Sequence, residues 1–140
     1  MIAAIRLRGI VKARKEIEST LKMLRLNRKM HCILLNDNAS MKGMIQAVKD
    51  YITWGEIDEA TLELLIKKRG RKTGDVKLNE KEAHEELAEI KKTGKTKNIK
   101  PVFRLTPPSK GFRKSIKQHY PDGELGYRGE HINELLKRMI

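Results

Sequence analysis

The sequence predicts one α+β domain in which short strands alternate with helices. In some segments apolar residues recur at every second position, which indicates strands. In others they recur every three or four positions, which indicates helices with one apolar stripe. The length of 140 residues is that of a typical single domain, with room for one moderate hydrophobic core. We therefore expect a single domain over residues 1–140.

The first half of the chain has the pattern β-α-β-α-β. The predicted strands are 2–8, 30–35 and 51–57, and the predicted helices are 13–26 and 41–50. In the first strand Ile5 and Leu7 alternate with arginines, and Gly9 ends the segment. Ser40 is the expected N-cap of the second helix. Because amphipathic helices bury their stripes on a sheet, residues 1–57 are expected to form a two-layer unit.

The rest of the chain is predicted to contain three more helices and one more strand. Asp58 and Gly70 are the expected caps of the third helix. A fourth helix is expected at about 80–92, a short strand at 101–106, a turn-rich loop at 120–129 and a last helix at 130–139. The apolar face of the last helix predicts that it packs into the core.

The fourth helix is distinguished by its acidic residues. It opens with a capping-box pattern, Asn79 followed by Glu82 three positions later. Its acidic residues are Glu80, Glu82, Glu85, Glu86 and Glu89. We expect this helix to face solvent or a protein rather than a nucleic acid. Only Ala83, Leu87 and Ile90 can dock it, which predicts weak packing and high mobility.

Charge is the strongest functional signal. The net charge is +13, of which residues 67–140 supply +10. The 27 residues from Lys91 to Lys117 include ten Lys or Arg and no acidic residue, and a second basic loop lies at 67–72. Such stretches favour a polyanion, since Lys and Arg release condensed counterions when they meet nucleic-acid phosphates. The alternative is a solvated charge run that confers only solubility.

Several other classes of protein fit poorly. No apolar run approaches the roughly 20 residues needed to span a bilayer, so we expect no membrane partner. Arg6 and Arg8 interrupt any signal-peptide core at the start, and the single cysteine excludes an internal disulfide framework. We therefore expect a cytoplasmic protein.

Three partial motifs of catalytic or metal-binding proteins are incomplete. The Gly94-Lys95-Thr96 segment resembles the end of a phosphate-binding loop, but the required earlier glycine is Glu89. The His84-Glu85 pair lacks the second histidine of a metalloprotease helix. His31 and Cys32 are neighbours on a strand and so point to opposite faces, which favours a core cysteine and a partly exposed histidine over a metal site. We expect no cofactor, no metal and no catalytic residue.

Two further features leave alternatives open. Glycines at 123, 126 and 129 could bring backbone close to a phosphate beside Arg128, or could form a tight surface turn. Trp54 could stack on a base, but a tryptophan on a strand with apolar neighbours is more typical of a core. With aromatic residues at 4%, the sequence favours recognition of phosphates and shape in folded RNA over a stacking platform.

Five segments together resemble a known family. They are residues 5–9 (IRLRG), 21–26 (LKMLRL), 48–57 (VKDYITWGEI), 103–108 (FRLTPP) and 126–139 (GYRGEHINELLKRM). Each is unspecific alone, but their order and spacing resemble the large-subunit ribosomal protein family numbered thirty in bacteria and archaea and seven in eukaryotes. Bacterial members are similar only to residues 1–57. Eukaryotic members carry a long basic N-terminal extension, so the chain looks like the archaeal form, with residues 58–140 as an extension docked on the family core.

The resemblance implies both a fold and a role. The fold would be a three-stranded, mainly antiparallel sheet with helices on one face, as in part of a ferredoxin-like fold. The role would be non-enzymatic, in the large ribosomal subunit, with 23S rRNA as partner, 5S rRNA near by and other large-subunit proteins as neighbours. No homo-oligomer is expected.

The candidate RNA-binding residues are the cations of the basic loops. Those of the two richest segments and the glycine turn are Lys67, Lys68, Arg69, Arg71, Lys72, Lys95, Lys97, Lys100, Lys110, Arg113, Lys114, Lys117 and Arg128. A third region comprises Arg25, Arg28, Lys29 and Lys42. Arginines can grip a phosphate through two parallel hydrogen bonds. The alternative function is a free-standing RNA-binding or RNA-chaperone protein, whereas the basic surface has no carboxylate cluster or histidine pair for a nucleic-acid enzyme.

Overall fold

The computed structural model describes all 140 residues, in five α-helices and six strands. In chain order they are β1 (Ile2–Arg6), α1 (Lys15–Met23), β2 (His31–Leu35), α2 (Ala39–Ala47), β3 (Ile52–Glu56), α3 (Glu59–Arg69), α4 (Glu80–Thr93), β4 (Val102–Arg104), β5 (Ser115–His119), β6 (Gly123–Tyr127) and α5 (Ile132–Met139). A short 3₁₀ turn, Gly129–His131, precedes α5. The predicted α+β class and β-α-β-α-β order are confirmed.

All six strands form one sheet in the order β4-β2-β1-β3-β6-β5. The central strand β1 runs antiparallel to β2 and β3, and β4 runs antiparallel to β2. The β3–β6 and β5–β6 pairs are parallel, so three of the five pairs are antiparallel. The sheet is therefore mainly antiparallel, as expected, with the predicted three-stranded core at its centre and the strands of the extension at both edges.

Helices cover both faces of this sheet. On one face α1 and α2 pack against Ile2, Ala4 and neighbouring side chains of β2 and β3. On the other face α3, α4 and α5 pack against Ala3, Ile5 and Leu7. The expected one-sided arrangement thus holds for the helices of residues 1–57, and the rest of the chain adds a third layer.

Local capping chemistry sets the helix ends. Asp58 and Gly70 cap α3, as predicted, and the Asn79–Glu82 capping box is present at the start of α4. There the Asn79 N–H donates to the Glu82 carboxylate over 2.9 Å. The start of α2 differs from the prediction. Asn38 is its N-cap and Ser40 lies inside the first turn.

The segment 115–127 is ordered differently from the prediction. The prediction of a turn-rich loop at 120–129 is wrong, because residues 123–127 form β6, which lies beside β5. The extension therefore contributes three strands instead of one. Gly123 permits close approach of the two backbones, since a Cβ there would lie 2.1 Å from the Gln118 carbonyl oxygen. Gly126 has a φ of +83°, which side chains disfavour.

The acid-rich helix α4 is docked more firmly than its composition suggests. The predicted anchors Ala83, Leu87 and Ile90 are buried against the second helical layer. Glu86, one of its five acidic residues, is buried as well. Its carboxylate accepts hydrogen bonds from the N–H groups of Lys97, over 3.3 Å, and Asn98, over 2.7 Å, which ties the following loop to the helix. The predicted mobility of the helix stays a prediction.

Phe103 attaches the edge strand β4 to the core, and its side chain is fully buried among residues of β1, β2 and α3–α5. We expect Phe103→Ala to lower the free energy of unfolding by about 3–5 kcal/mol, because it removes a large buried side chain and leaves a cavity. Urea denaturation followed by circular dichroism measures this loss. The control is Val76→Ala at an exposed position, with an expected change within about 0.5 kcal/mol. Equal losses in both variants would contradict the placement of β4.

Candidate nucleic-acid interface

Basic segments that are far apart in sequence meet along the free edge of the sheet, at β4. The register places Arg104 opposite His31, and His31 follows directly after the Arg28–Met30 turn. Arg25 lines a cleft of about 520 Å³ together with Lys95 and Lys97. The fold therefore joins the 25–29 region to the long basic stretch, although nearly 70 residues separate them in sequence.

The end of α3 brings a third basic segment to the same edge. Arg69, Arg71, Lys100 and Arg104 line a cleft of about 300 Å³ with Asp75 and Val102. The Lys100 N–H donates to the Arg71 carbonyl over 2.8 Å, so the segments at 71 and 100 are held side by side. We call the region from Arg25 and Arg28 through Arg104 to Arg69 and Arg71 the β4-edge surface.

His31 reports the electrostatic potential of the β4-edge surface. Burial first, and then the positive charges of Arg104, Arg28 and Arg6, hold the pKa of His31 below its usual value. Its Nδ1 atom is buried and has no hydrogen-bond partner. Arg6 itself is buried and donates to the carbonyls of Leu26, over 2.7 Å, and Arg8, over 2.9 Å. It therefore fixes the loop that presents the 25–29 cations.

A second basic region comprises the loop between β4 and β5 and the first residues of β5. Lys110 on the loop and Lys117 on β5 are exposed, Arg113 forms an ion pair with Glu134 at 2.8 Å, and Lys114 donates to the Pro121 carbonyl. Arg138 of α5 donates to the carbonyls of Ser109 and Gly111 and so holds the loop in place. We call residues 109–117 the loop surface.

Arg128 is buried, and its guanidinium bonds to groups inside the protein. Its guanidinium donates to the Thr53 hydroxyl over 2.8 Å and to the Glu124 carboxylate over 2.7 Å, and the side chain is 6% exposed. Arg128 is therefore not placed to bind a phosphate, which corrects the sequence prediction. The adjacent glycines serve packing, since a Cβ on Gly55 would lie 2.0 Å from the Gly129 carbonyl oxygen.

Trp54 and Tyr127 contact one another, and Tyr127 is also partly exposed to solvent. Trp54 is buried in the core on the α1–α2 side, as the sequence favoured, and its ring lies 6.3 Å from that of Tyr127. The Tyr127 hydroxyl donates to both oxygens of the Glu56 carboxylate, at 2.7 and 2.9 Å. This hydrogen bond raises the pKa of Tyr127, and the charges of Glu56, Glu130 and Asp37 add to it. The corner around Tyr127 is thus acidic and unsuited to phosphates.

The remaining predicted RNA-binding residues differ in what they already contact. Those without an acidic partner are Arg25, Arg28, Lys29, Lys68, Arg69, Arg71, Lys95, Lys97, Lys110, Lys114 and Lys117. Those in ion pairs are Lys42 with Asp37, Lys67 with Glu63, Lys72 with Glu82, Lys100 with Asp75 and Arg113 with Glu134. Exposed pairs of this kind contribute little to stability, so a phosphate can replace the carboxylate.

Sequence reasoning missed three groups of cations. Arg104 was counted in the basic stretch but not chosen as a contact, although the register with His31 places it on the β4-edge surface. Arg138 holds the loop surface. Lys12, Arg14 and Lys15 are exposed just before α1 and at its first residue, next to the exposed side chain of Val11. The available signal was an acid-free stretch, since residues 1–15 contain five Lys or Arg and no acidic residue.

The titratable groups elsewhere offer little reactivity. Burial raises the pKa of the Cys32 thiol to about 12, so it is protonated and inert at neutral pH. No group of three His, Cys, Asp or Glu side chains lies close enough together to hold a metal ion. None of the helices is both long and apolar enough to cross a lipid bilayer. The main chemistry that the surface offers is a set of positive hydrogen-bond donors.

Comparison with known proteins assigns the family. A model described as "Ribosomal protein L30p/L7e" matches residues 2–52, which span β1 to the start of β3. The large ribosomal subunit protein uL30 of Archaeoglobus fulgidus is 48% identical, over 99% of this chain and 99% of its own length. That of Nanoarchaeum equitans is 52% identical, over 100% of this chain and 99% of its own.

This chain belongs to the L30p/L7e family of ribosomal proteins. The uL30 protein of Thermoplasma volcanium is a further relative, 46% identical over 100% of this chain and 93% of its own length. The resemblance seen in the sequence is therefore confirmed, and the relatives compared are archaeal, as expected. The residues matched by the family model include the central strands. The extension beyond them supplies four cations of the β4-edge surface, Arg69, Arg71, Lys100 and Arg104.

The buried Arg128–Glu124 pair gives a test of its structural role. We expect Arg128→Met to lower the free energy of unfolding by about 3–5 kcal/mol, because it leaves the Glu124 carboxylate buried without its partner. The double variant Arg128→Met with Glu124→Leu is expected to lose less, since no uncompensated charge remains. Urea denaturation of the two variants measures both effects. A stable Arg128→Met variant that binds rRNA more weakly would instead restore Arg128 as a contact.

Proposed function

We propose that this protein is a structural constituent of the large ribosomal subunit and that it binds folded 23S rRNA through its β4-edge surface and its loop surface. The observation that carries the proposal is the convergence of three basic segments on one edge of the sheet. Family membership supports the ribosomal location, which is in the cytoplasm, and a structural instead of an enzymatic role.

The binding mechanism follows from the arrangement of charge. The two helical layers and the sheet form a rigid support, so the cations lie in fixed positions before RNA arrives. Each phosphate that a Lys or Arg contacts releases counterions, and this gain does not depend on base identity. Because Trp54 is buried and Tyr127 bonds Glu56, the surface offers few aromatic faces for bases. Phosphate positions and the shape of the folded RNA therefore determine where the protein binds.

The distribution of acid determines the orientation of the protein on the RNA. The corner around Tyr127 and the exposed side of α4 repel phosphates, whereas the opposite edge of the sheet attracts them. We expect the acidic parts to face other large-subunit proteins or solvent. The family resemblance also suggests 5S rRNA near by, and we propose that the loop surface is the part available to it.

The first experiment is sucrose-gradient sedimentation of a lysate at moderate and then high salt, with the protein quantified against large-subunit rRNA. One copy per large subunit that resists moderate salt is the expected result. Recovery mainly in the light fractions at both salt concentrations would overturn the ribosomal role. It would leave a free-standing RNA-binding protein in its place.

The double variant Arg28→Ala with Arg104→Ala tests the β4-edge surface. We expect weaker binding to every 23S rRNA fragment that the wild type binds, and a slope of log affinity against log salt reduced by roughly one for each phosphate that is no longer neutralised. Salt-dependent fluorescence anisotropy provides both quantities. The control is Lys81→Ala, an exposed lysine on the acid-rich helix α4. An equal decrease in affinity with Lys81→Ala, or a change in sequence preference, would contradict the assignment.

His31 provides an independent spectroscopic test. Its pKa in the free protein is expected below the ordinary value of about 6.5, because burial and three arginines oppose its protonation. RNA phosphates bound at Arg28 and Arg104 would offset that positive charge, so its pKa should rise on binding. NMR titration of the imidazole with and without an rRNA fragment measures the change. In Arg104→Ala the free-protein pKa should already be higher and the further rise smaller.

A further inference from the structure

The cleft at the end of the β4-edge surface has an unusual composition. Four cationic side chains and one carboxylate, Asp75, line it together with Val102. Asp75 balances one of the four positive charges, so three remain without an acidic counterpart. Like charges at this spacing repel one another, so the arrangement favours an anion in the cleft.

Asp75 lies at the centre of this charge. One carboxylate oxygen is 2.6 Å from the Lys100 Nζ atom and the other is 3.8 Å from an Arg104 Nη atom. A hydrogen bond from Lys100, and then the charges of Lys100, Arg104 and Arg71, hold the pKa of Asp75 below its usual value. The side chain is therefore ionised at neutral pH. Two oxygens that face two cations reproduce the contacts that a phosphate makes with the same groups.

Two cations of the cleft are held by contacts that do not involve Asp75. Arg69 donates to the main-chain oxygen of Ile140 over 2.9 Å, and Arg71 donates to the Gly70 carbonyl over 3.1 Å. Arg104 ends β4, whose register with His31 fixes its backbone, while its guanidinium faces Asp75. If Asp75 moved away, the positive groups of Arg69 and Arg71 would remain in place, and those of Lys100 and Arg104 would be released for another anion.

Asp75 itself is carried on a small surface turn that can move without unpacking the core. The turn is closed by hydrogen bonds from the Lys72 N–H to the Val76 carbonyl, over 2.9 Å, and from the Asp75 N–H to the Lys72 carbonyl, over 3.0 Å. Gly74 and Asp75 both have positive φ, at +87° and +60°. Residues 73–77 are all exposed, so no buried apolar contact resists their displacement.

We propose that this cleft is a binding site for one phosphate of the rRNA backbone, and that Asp75 occupies the phosphate position until RNA displaces it. This inference rests on the proposed function. In the free protein Asp75 offsets the repulsion among the cations and keeps them near the geometry that a phosphate needs. On binding, the phosphate takes the place of Asp75 beside Lys100 and Arg104, and the turn moves outward. The carboxylate therefore limits affinity, because a backbone phosphate, which also carries a single negative charge, must displace it.

The test compares Asp75→Asn with the wild type in the same anisotropy titrations. Removing the competing carboxylate should tighten binding to a 23S rRNA fragment about threefold to tenfold at low salt, and should steepen the salt slope by roughly one. The matched control is Glu59→Gln, which also removes one negative charge from an exposed ion pair, with Lys91, outside the cleft. Its effect is expected to stay within about twofold, since only the net charge of the protein changes.

A second measurement keeps the proposal testable without relying on affinity for RNA. Inorganic phosphate is added to the free protein while the Asp75 carboxyl carbon is followed by NMR. Separation of the carboxylate from Lys100 should shift the Asp75 resonance in the wild type, and an Arg104→Ala variant should need several times more phosphate for the same shift. Absence of any shift would overturn the phosphate site, because phosphate would then not compete with Asp75.

The outcomes separate the inference from the function on which it rests. Binding of rRNA by the wild type, with Asp75→Asn no tighter than Glu59→Gln, would overturn the role of Asp75 and leave the proposed function in place. If no form of the protein bound large-subunit rRNA, the proposed function would fail and the inference with it. Tighter binding by Asp75→Asn alone, with the steeper salt slope, supports both.

Discussion

The structure depends on burial of the central strand β1 on both of its faces. The side chains of Ile2, Ala3, Ala4 and Ile5 are all nearly inaccessible to solvent, and each neighbouring strand pairs with β1 along its length. Such a strand needs a helical layer on each side. Helices α1 and α2 supply one layer, and the chain beyond residue 57 must supply the other. The extension is thus part of the core and not an appendage.

This requirement also determines where the positive charge lies. The helices α3, α4 and α5 that cover the second face must be joined by loops, and the loops pass around the edges of the sheet. Cations are costly in the interior, so they collect on those loops. The two exceptions are instructive. Buried Arg6 and Arg128 each satisfy several acceptors, and each fixes a connection between distant segments of the chain.

Local chemistry explains which parts of this architecture the sequence predicted. The capping box of α4 depends on two side chains close together in sequence, and the ends of α3 lie at Asp58 and Gly70, residue types typical of helix ends, so reading the sequence was sufficient. The strand pattern of residues 1–57 was equally clear, because it depends on the order of residues within each strand and not on distant segments. Gly123 and Gly126 were misread, since glycines that permit close packing of two strands resemble glycines of a turn. Arg128 was misread for a related reason. Its partner Thr53 lies 75 residues away, and only the pairing of β3 with β6 brings them together.

The same distinction applies to the interface. The sequence identified the basic segments but not their arrangement, because the position of Arg104 opposite His31 follows from strand order, which periodicity does not specify. The arrangement matters physically, since separate cations on flexible loops lose conformational freedom when they bind, whereas cations fixed on a sheet edge have already lost it. The carboxylates that pair with these cations, such as those of Glu82 and Asp75, have a complementary effect. They offset repulsion among the cations in the free protein, yet their ion pairs are partly exposed to solvent, so a phosphate can replace the carboxylates. On the proposed function, such a surface has reduced repulsion in the free protein and still offers its cations to RNA.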